Sequence, residues 1–172
     1  MAKNDLLNLF EIPNVIVKVP TKWLFINSMI DSNTLFNAHL MVRYNAIKSY
    51  FNNDDKWWKI YNSMQYKRVL QNKLIPRDKI NNEEKFKSLI DNFKENGFQD
   101  QYPIIINRNF RLVDGSHRLA LALYFNVKYV PVRIDEKSLC FEKEYSLAWF
   151  KENGFNEIID DLIDTYNYII GR

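Results

Sequence analysis

Asp114, Gly115, Ser116, His117 and Arg118 put a carboxylate, an unhindered backbone, a hydroxyl, an imidazole and a guanidinium into one short stretch. Bulky residues suited to a strand run from Phe110 to Val113 before it, and an apolar helical run without a breaker follows from Leu119 to Phe125. Gly115 permits a backbone conformation closed to other residues. A helix that opens on Gly-Ser-His-Arg presents unbonded N–H groups, the positive end of its dipole and two donor side chains at one point. That is an anion site, and phosphate is its natural guest. Asp114, at the strand end beside it, has the placement to orient or deprotonate an alcohol facing that phosphate. Its structural alternative is the N-cap of the following helix.

Lys85, Ser88 and Asn92, spaced three and four apart, share one side of the preceding helix. The apolar stripe Phe86, Leu89, Ile90 and Phe93 lies elsewhere, so the trio is free either for solvent or for a ligand. An ammonium, a hydroxyl and an amide aimed at a helix N-terminus would make a two-sided phosphate clamp. The plain readings of the turn are a His117 ring satisfied by a neighbouring carbonyl and an Arg118 in an ion pair. No second histidine or cysteine stands at ligand spacing, which argues against zinc. Cys140 is incidental. Arg43 adjoins an otherwise apolar stripe, where a cation needs a partner. A substrate carboxylate or phosphate is one answer, and a structural carboxylate is the commoner one. Lys48 points well round the helix from Arg43.

Asp-Gly-Ser-His-Arg, followed by an apolar helix and the Val130-Pro131-Val132 strand, resembles the ParB/sulfiredoxin superfamily. Its members include ParB partition proteins, sulfiredoxins and small-molecule kinases of the free serine kinase type, and the matching turn holds nucleotide phosphates. The run from Lys85 to Asp91 is similar to the sulfiredoxin helix that touches ATP phosphates through its Lys and Ser, with Asn92 at the next contact. Ser116 stands where sulfiredoxins carry their catalytic cysteine, and a serine is a far poorer nucleophile, so sulfinic-acid repair is not expected. ParB partition proteins have Gly-Glu-Arg-Arg at this turn and a helix-turn-helix domain after it; here His117 replaces the first Arg, and no basic recognition helix is evident. The motif is most like the kinase members, whose Asp acts on the acceptor hydroxyl. Those kinases also use an upstream Glu, for which Asp78, Glu83 and Glu84 are the candidates. The resemblance thus implies a nucleotide cofactor, ATP or else ADP or CTP, with Mg2+. A looser likeness runs from Arg43 to Lys48 and on to Trp149, Phe150, Gly154 and Phe155. It is to ParB-like proteins of surface-polysaccharide gene clusters, and implies that Arg43 and Lys48 meet substrate.

The elements that must position these residues follow from composition and period. The chain has 172 residues, 47% hydrophobic and 15% aromatic, enough for one domain with a sizeable core and too apolar for disorder. Four Gly and five Pro argue against a turn-rich sandwich. Twenty-four basic and 21 acidic residues, mixed along the chain, read as solvated surface rather than a nucleic-acid groove. One cysteine suits a reducing compartment, and with no export or membrane-spanning run the cytoplasm is expected. Strands are predicted from Val15 to Val19, Tyr102 to Asn107, Phe110 to Val113 and Tyr129 to Ile134, the middle two as a hairpin. A helical turn is predicted from Leu6 to Phe10. Helices are predicted from Thr34 to Phe51, capped by Asp31, Ser32 or Asn33, from Lys56 to Gln71, and from Glu83 to Asn96, capped by Asn81 or Asn82. Two more are predicted from Glu142 to Asn153 and from Asn156 to Ile170. The stripe Trp57, Trp58, Tyr61 and Met64 reads as a core face rather than a cofactor box. FKENGF occurs at Phe93 and again at Phe150, both where a helix should stop. The expected architecture is a single α+β domain, 1–172. A small ParB/sulfiredoxin-like mixed sheet at about 74–134 is wrapped by helices from 34–72 and 142–170. The expected function is a nucleotide-dependent kinase for a hydroxyl of a small metabolite, serine-like or a glycan sugar. The alternative is a non-catalytic ParB-type switch acting on a protein or DNA partner.

Overall fold

The structure is a computed structural model that describes residues 15–29, 35, 37–73, 75–135 and 145–172. The expectations for residues 6–10, the caps at 31–33, Phe36, Cys140 and the helix start at 142–144 lie outside the described residues.

The fold is α+β, a four-stranded mixed sheet surrounded by helices. In chain order the elements are β1 (Ile16–Pro20), α1 (Thr21–Ser28), α2 (His39–Asn52), α3 (Lys56–Gln71), α4 (Glu83–Asn96), β2 (Ile104–Ile106), β3 (Leu112–Asp114), α5 (Ser116–Tyr124), β4 (Tyr129–Ile134), α6 (Leu147–Glu152) and α7 (Ile159–Gly171). Short 3-10 turns occupy Arg77–Asn81 and Asn156–Ile158. The sheet order is β1-β4-β2-β3, with β4 antiparallel to β1 and parallel to β2, and β3 antiparallel to β2.

The hairpin forms, but both its strands are shorter than their residue types predict. Phe110 adopts φ +61, outside any strand conformation, and buries its ring edge-on against Trp23 at 5.5 Å. Asn107 closes the turn by accepting the N–H groups of Asn109 and Arg111 on its side-chain oxygen. On the other arm, the carbonyls of Tyr102 and Pro103 turn away from the ladder to accept from Arg118.

The helix predicted from Thr34 begins at His39, because Leu35 holds φ +43 and keeps the chain in a turn. α1 carries no sequence expectation. Its apolar residues lack a helical period, and it starts directly behind the strand-closing Pro20, burying Leu24 and Phe25. Asn82 sits at the N-cap of α4 but turns its amide to the Tyr61 hydroxyl at 3.3 Å instead of capping. The two FKENGF copies both end a helix, with Phe93 and Phe98 in edge contact at 5.9 Å and Phe150 and Phe155 at 5.3 Å.

One apolar core joins sheet and helices. Val19, Ile104, Ile106, Val130 and Val132 from the strands meet Leu119, Leu121 and Leu123 of α5, Leu40 and Ile47 of α2, and Trp58, Tyr61 and Met64 of α3. Each such side chain stabilises the fold by roughly 1.5–3 kcal/mol relative to exposure. α5 is thereby clamped between β2 and α2, and its first turn is held in a fixed place.

Candidate functional site

The turn from β3 into α5 is built around Gly115 at φ +96. A Cβ there would lie 3.2 Å from the Ile104 backbone and 3.3 Å from its side chain, so the site needs both the left-handed backbone and the missing methyl. Gly115 is the helix N-cap, and the first bond within the helix runs from Leu119 N–H to the Gly115 carbonyl at 2.8 Å. The amides of Ser116, His117 and Arg118 therefore have no partner inside the helix. Asp114 is not the cap. Its carboxylate accepts from Arg118 Nη2 at 2.8 Å, one turn on, and is largely exposed. The other arm of Arg118, Nη1, donates to the Tyr102 and Pro103 carbonyls and so ties the turn to the start of β2.

Behind this turn lies a cavity of about 260 Å³ whose walls include Asp114, Ser116 and His117 together with His39 and Arg43 of α2, Gln65 and Arg68 of α3, and Tyr145. Among the described residues four cationic ones line it, Arg43, Arg68, Lys79 and Arg111, against one carboxylate, Asp114. Arg43 is 1% exposed. It donates to the His39 carbonyl at 3.0 Å and, at 3.4 Å, to Gln65 Oε1. Arg68 Nη1 donates to that same oxygen at 2.6 Å, so two guanidiniums share one amide. The structural carboxylate expected for Arg43 is absent: among the described residues neither Arg43 nor Arg68 has an acidic partner.

Burial without counter-charge governs the ionisation of these groups. Desolvation first, and then Arg68, pull Arg43 down to about 9, which leaves it charged at neutral pH. Burial, reinforced by Arg43 and Arg68, holds His117 well below the usual imidazole range, and His39 likewise. His117 is packed edge-on to Phe86 at 4.5 Å, and its Nε2 lies 2.8 Å from the Tyr61 hydroxyl. Its partner is thus a phenol and not a carbonyl.

The predicted residues fall into three groups. Asp114, Ser116, His117 and Arg43 share the cavity, and Gly115 shapes its rim. Lys85, Ser88 and Asn92 do not line it. Lys85 pairs with Asp78 at 3.4 Å in solvent, Ser88 donates to the Glu84 carbonyl of its own helix, and Asn92 accepts from Gln99. Asn92 does share a niche of about 40 Å³ with Arg118, beside Tyr102 and Phe98. Lys48 opens on a separate cleft with Asp161, Asp164 and Arg172. His39, Gln65, Arg68 and Tyr145 carry no sequence expectation. His39 with Arg43, and Gln65 with Arg68, stand one helical turn apart, a spacing that puts each pair on one side of its helix; Tyr145 carries no such signal.

The fold and site together define an α+β domain with a small cation-lined cavity at a strand-to-helix turn. No protein-family model, curated protein or solved structure matches the chain. Among the described residues no helix is long and apolar enough to cross a membrane.

Proposed function

We propose that the chain is a small-molecule kinase of the ParB/sulfiredoxin-like kind, which moves the terminal phosphoryl group of a nucleotide to a metabolite hydroxyl. The observation that carries this reading is the position of Asp114, the one carboxylate among the described residues of a cavity that four cationic residues also line, beside the open end of α5. Drug-sized ligands fill about 300–1,000 Å³, so the cavity admits a metabolite and not a whole nucleotide. The nucleotide lies outside, with its phosphates at the rim against the amides of Ser116, His117 and Arg118. Arg118 keeps Nε and one Nη2 hydrogen for them beyond its bonds to carbonyls and to Asp114. Lys85 and Ser88 reach the phosphates only by leaving their present partners.

The acceptor hydroxyl faces Asp114, which takes its proton as the new oxygen–phosphorus bond forms and the bond to the departing nucleoside diphosphate breaks. Magnesium, when bound, supplies charge neutralisation on the transferring phosphoryl group. Among the described residues no cluster of three or more metal-ligating side chains exists; an ion held by the nucleotide phosphates and water would leave Asp114 to act on the acceptor hydroxyl.

Phosphorus NMR with ATP, magnesium and a panel of hydroxylated acceptors tests the assignment. Asp114→Asn should lower turnover at least a hundredfold while nucleotide affinity changes less than threefold. Equal loss of both, or of neither, removes Asp114 from the role. The Asp114–Arg118 ion pair favours one second reading, a nucleotide-binding switch whose carboxylate is structural. Nucleotide binding with no product from any acceptor would select it.

A further inference from the structure

Side-chain nitrogen and oxygen atoms buried without a hydrogen-bond partner are few among the described residues: Thr21 Oγ1, His39 Nδ1, Arg43 Nε, Arg68 Nε and the Tyr145 hydroxyl. Four of these five belong to residues lining the one cavity behind the Asp114 turn. A buried polar atom left without a partner is costly, so four of them on residues that line a single cavity mark that cavity as a binding site rather than a packing accident. His39, Arg43 and Tyr145 are 6%, 1% and 5% exposed, so bulk water does not satisfy them. We infer that the acceptor carries an acidic group of its own, carboxylate or phosphate, which docks between Arg43 and Arg68 at the floor of the cavity. This deepens the kinase reading and rests on it for the word acceptor, but not for the binding.

The geometry selects an anion. Arg68 spends Nη1 on Gln65 and has no bond from Nη2 among the described residues, so Nε and Nη2 together offer a free side-on edge. That edge is the one that takes two oxygens of a planar carboxylate or of a phosphate in parallel. The guanidinium lies 4.1 Å from the centre of the Tyr145 ring, which fixes its plane. Arg43 Nε adds a third donor, and the Tyr145 hydroxyl can donate as well. Gln65, shared by both guanidiniums, holds the two cations together without neutralising either. An arriving anion supplies the missing counter-charge. Size agrees with this: about 260 Å³ holds a few-carbon acid, with its far hydroxyl toward Asp114.

Calorimetry on the nucleotide-free chain with glycerate, glycerol phosphate and neutral glycerol is the test. At least one acid should bind ten times or more tighter than glycerol, and which acid does so distinguishes carboxylate from phosphate. Arg68→Gln, at a half-buried position, should lower that affinity at least tenfold, and Tyr145→Phe should lower it three- to tenfold. Acid and glycerol affinities within threefold of each other, or an unchanged affinity in Arg68→Gln, overturn the subsite. The two readings fail separately. Acid binding without any phosphoryl transfer keeps the subsite and removes the kinase, whereas equal transfer to glycerate and glycerol keeps the kinase and removes the subsite.

Discussion

The Tyr61 hydroxyl lies 2.8 Å from His117 Nε2 and also accepts the Asn82 amide at 3.3 Å. The phenol oxygen can accept from both neighbours or pass its own proton to Nε2, and the neutral imidazole that burial favours can take either side of this bond. Three elements, α3, the start of α4 and the start of α5, meet at this one oxygen. The first turn of α5 is thus braced from behind, on the side away from solvent.

Tyr61→Phe removes the brace and leaves two buried polar groups unpaired. Stability should fall by about 1–3 kcal/mol, read from urea denaturation midpoints. The loss should shrink when Asn82→Ala is already present, since one of the two stranded groups is then gone. Additive losses would mean the three groups do not act as a unit.

Acid should destabilise the chain by a route that can be signed. In the folded state His117 and His39 are held well below 6.5, while in the unfolded chain they return to that value. Between the two values the unfolded state binds protons that the folded state does not, so stability rises with pH there and is lost as pH falls below about 6.5. The urea midpoint should drop steadily from pH 7 to pH 5, with a shallower drop in His117→Asn. A flat profile over that interval would contradict the burial of neutral imidazoles.

Gly115→Ala should be costly for two separable reasons. The left-handed backbone costs an L-residue about 1–2 kcal/mol, and the new methyl meets the Ile104 backbone at 3.2 Å. Loss of thermal stability should exceed that of Gly171→Ala, whose added carbon meets nothing within 4 Å. Circular-dichroism melts of the two variants make the comparison, and equal melts would mean the turn can relax.

Much of the scaffold is legible in the sequence. Lys56 to Gln71 and Glu83 to Asn96 form helices with the predicted ends, because Asp55 and Gly97 break the chain on either side of clean apolar stripes. The hairpin and β4 were also legible, from β-branched runs closed by turn residues. α1 was not, because its buried face pairs polar Thr21 and Ser28 with Leu24 and Phe25 while apolar Ile26 is exposed, so its hydrophobicity does not follow its burial. At the site, Asp114, Ser116 and His117 lie on the cavity, whereas its floor is contributed by residues far away in sequence. Arg68 looked like any cation near a helix end, and its unpaired edge exists only once α2, α3 and Tyr145 converge. Lys85 and Ser88 obey the spacing of a clamp, yet spacing fixes only a shared side of a helix and not which neighbour that side meets.

The central strand, β4, is the last of the four to be synthesised, and it bridges β1 and β2. Until Tyr129–Ile134 leaves the ribosome, Ile16–Pro20 has no edge to join, and the nascent helices α2 and α3 must wait with their apolar faces and Arg43 uncovered. Long-range closure of this kind slows assembly and leaves aggregation-prone surface open. A chain truncated before residue 129 should therefore bind chaperones and stay protease-sensitive, although it already contains every described polar residue of the cavity except Tyr145.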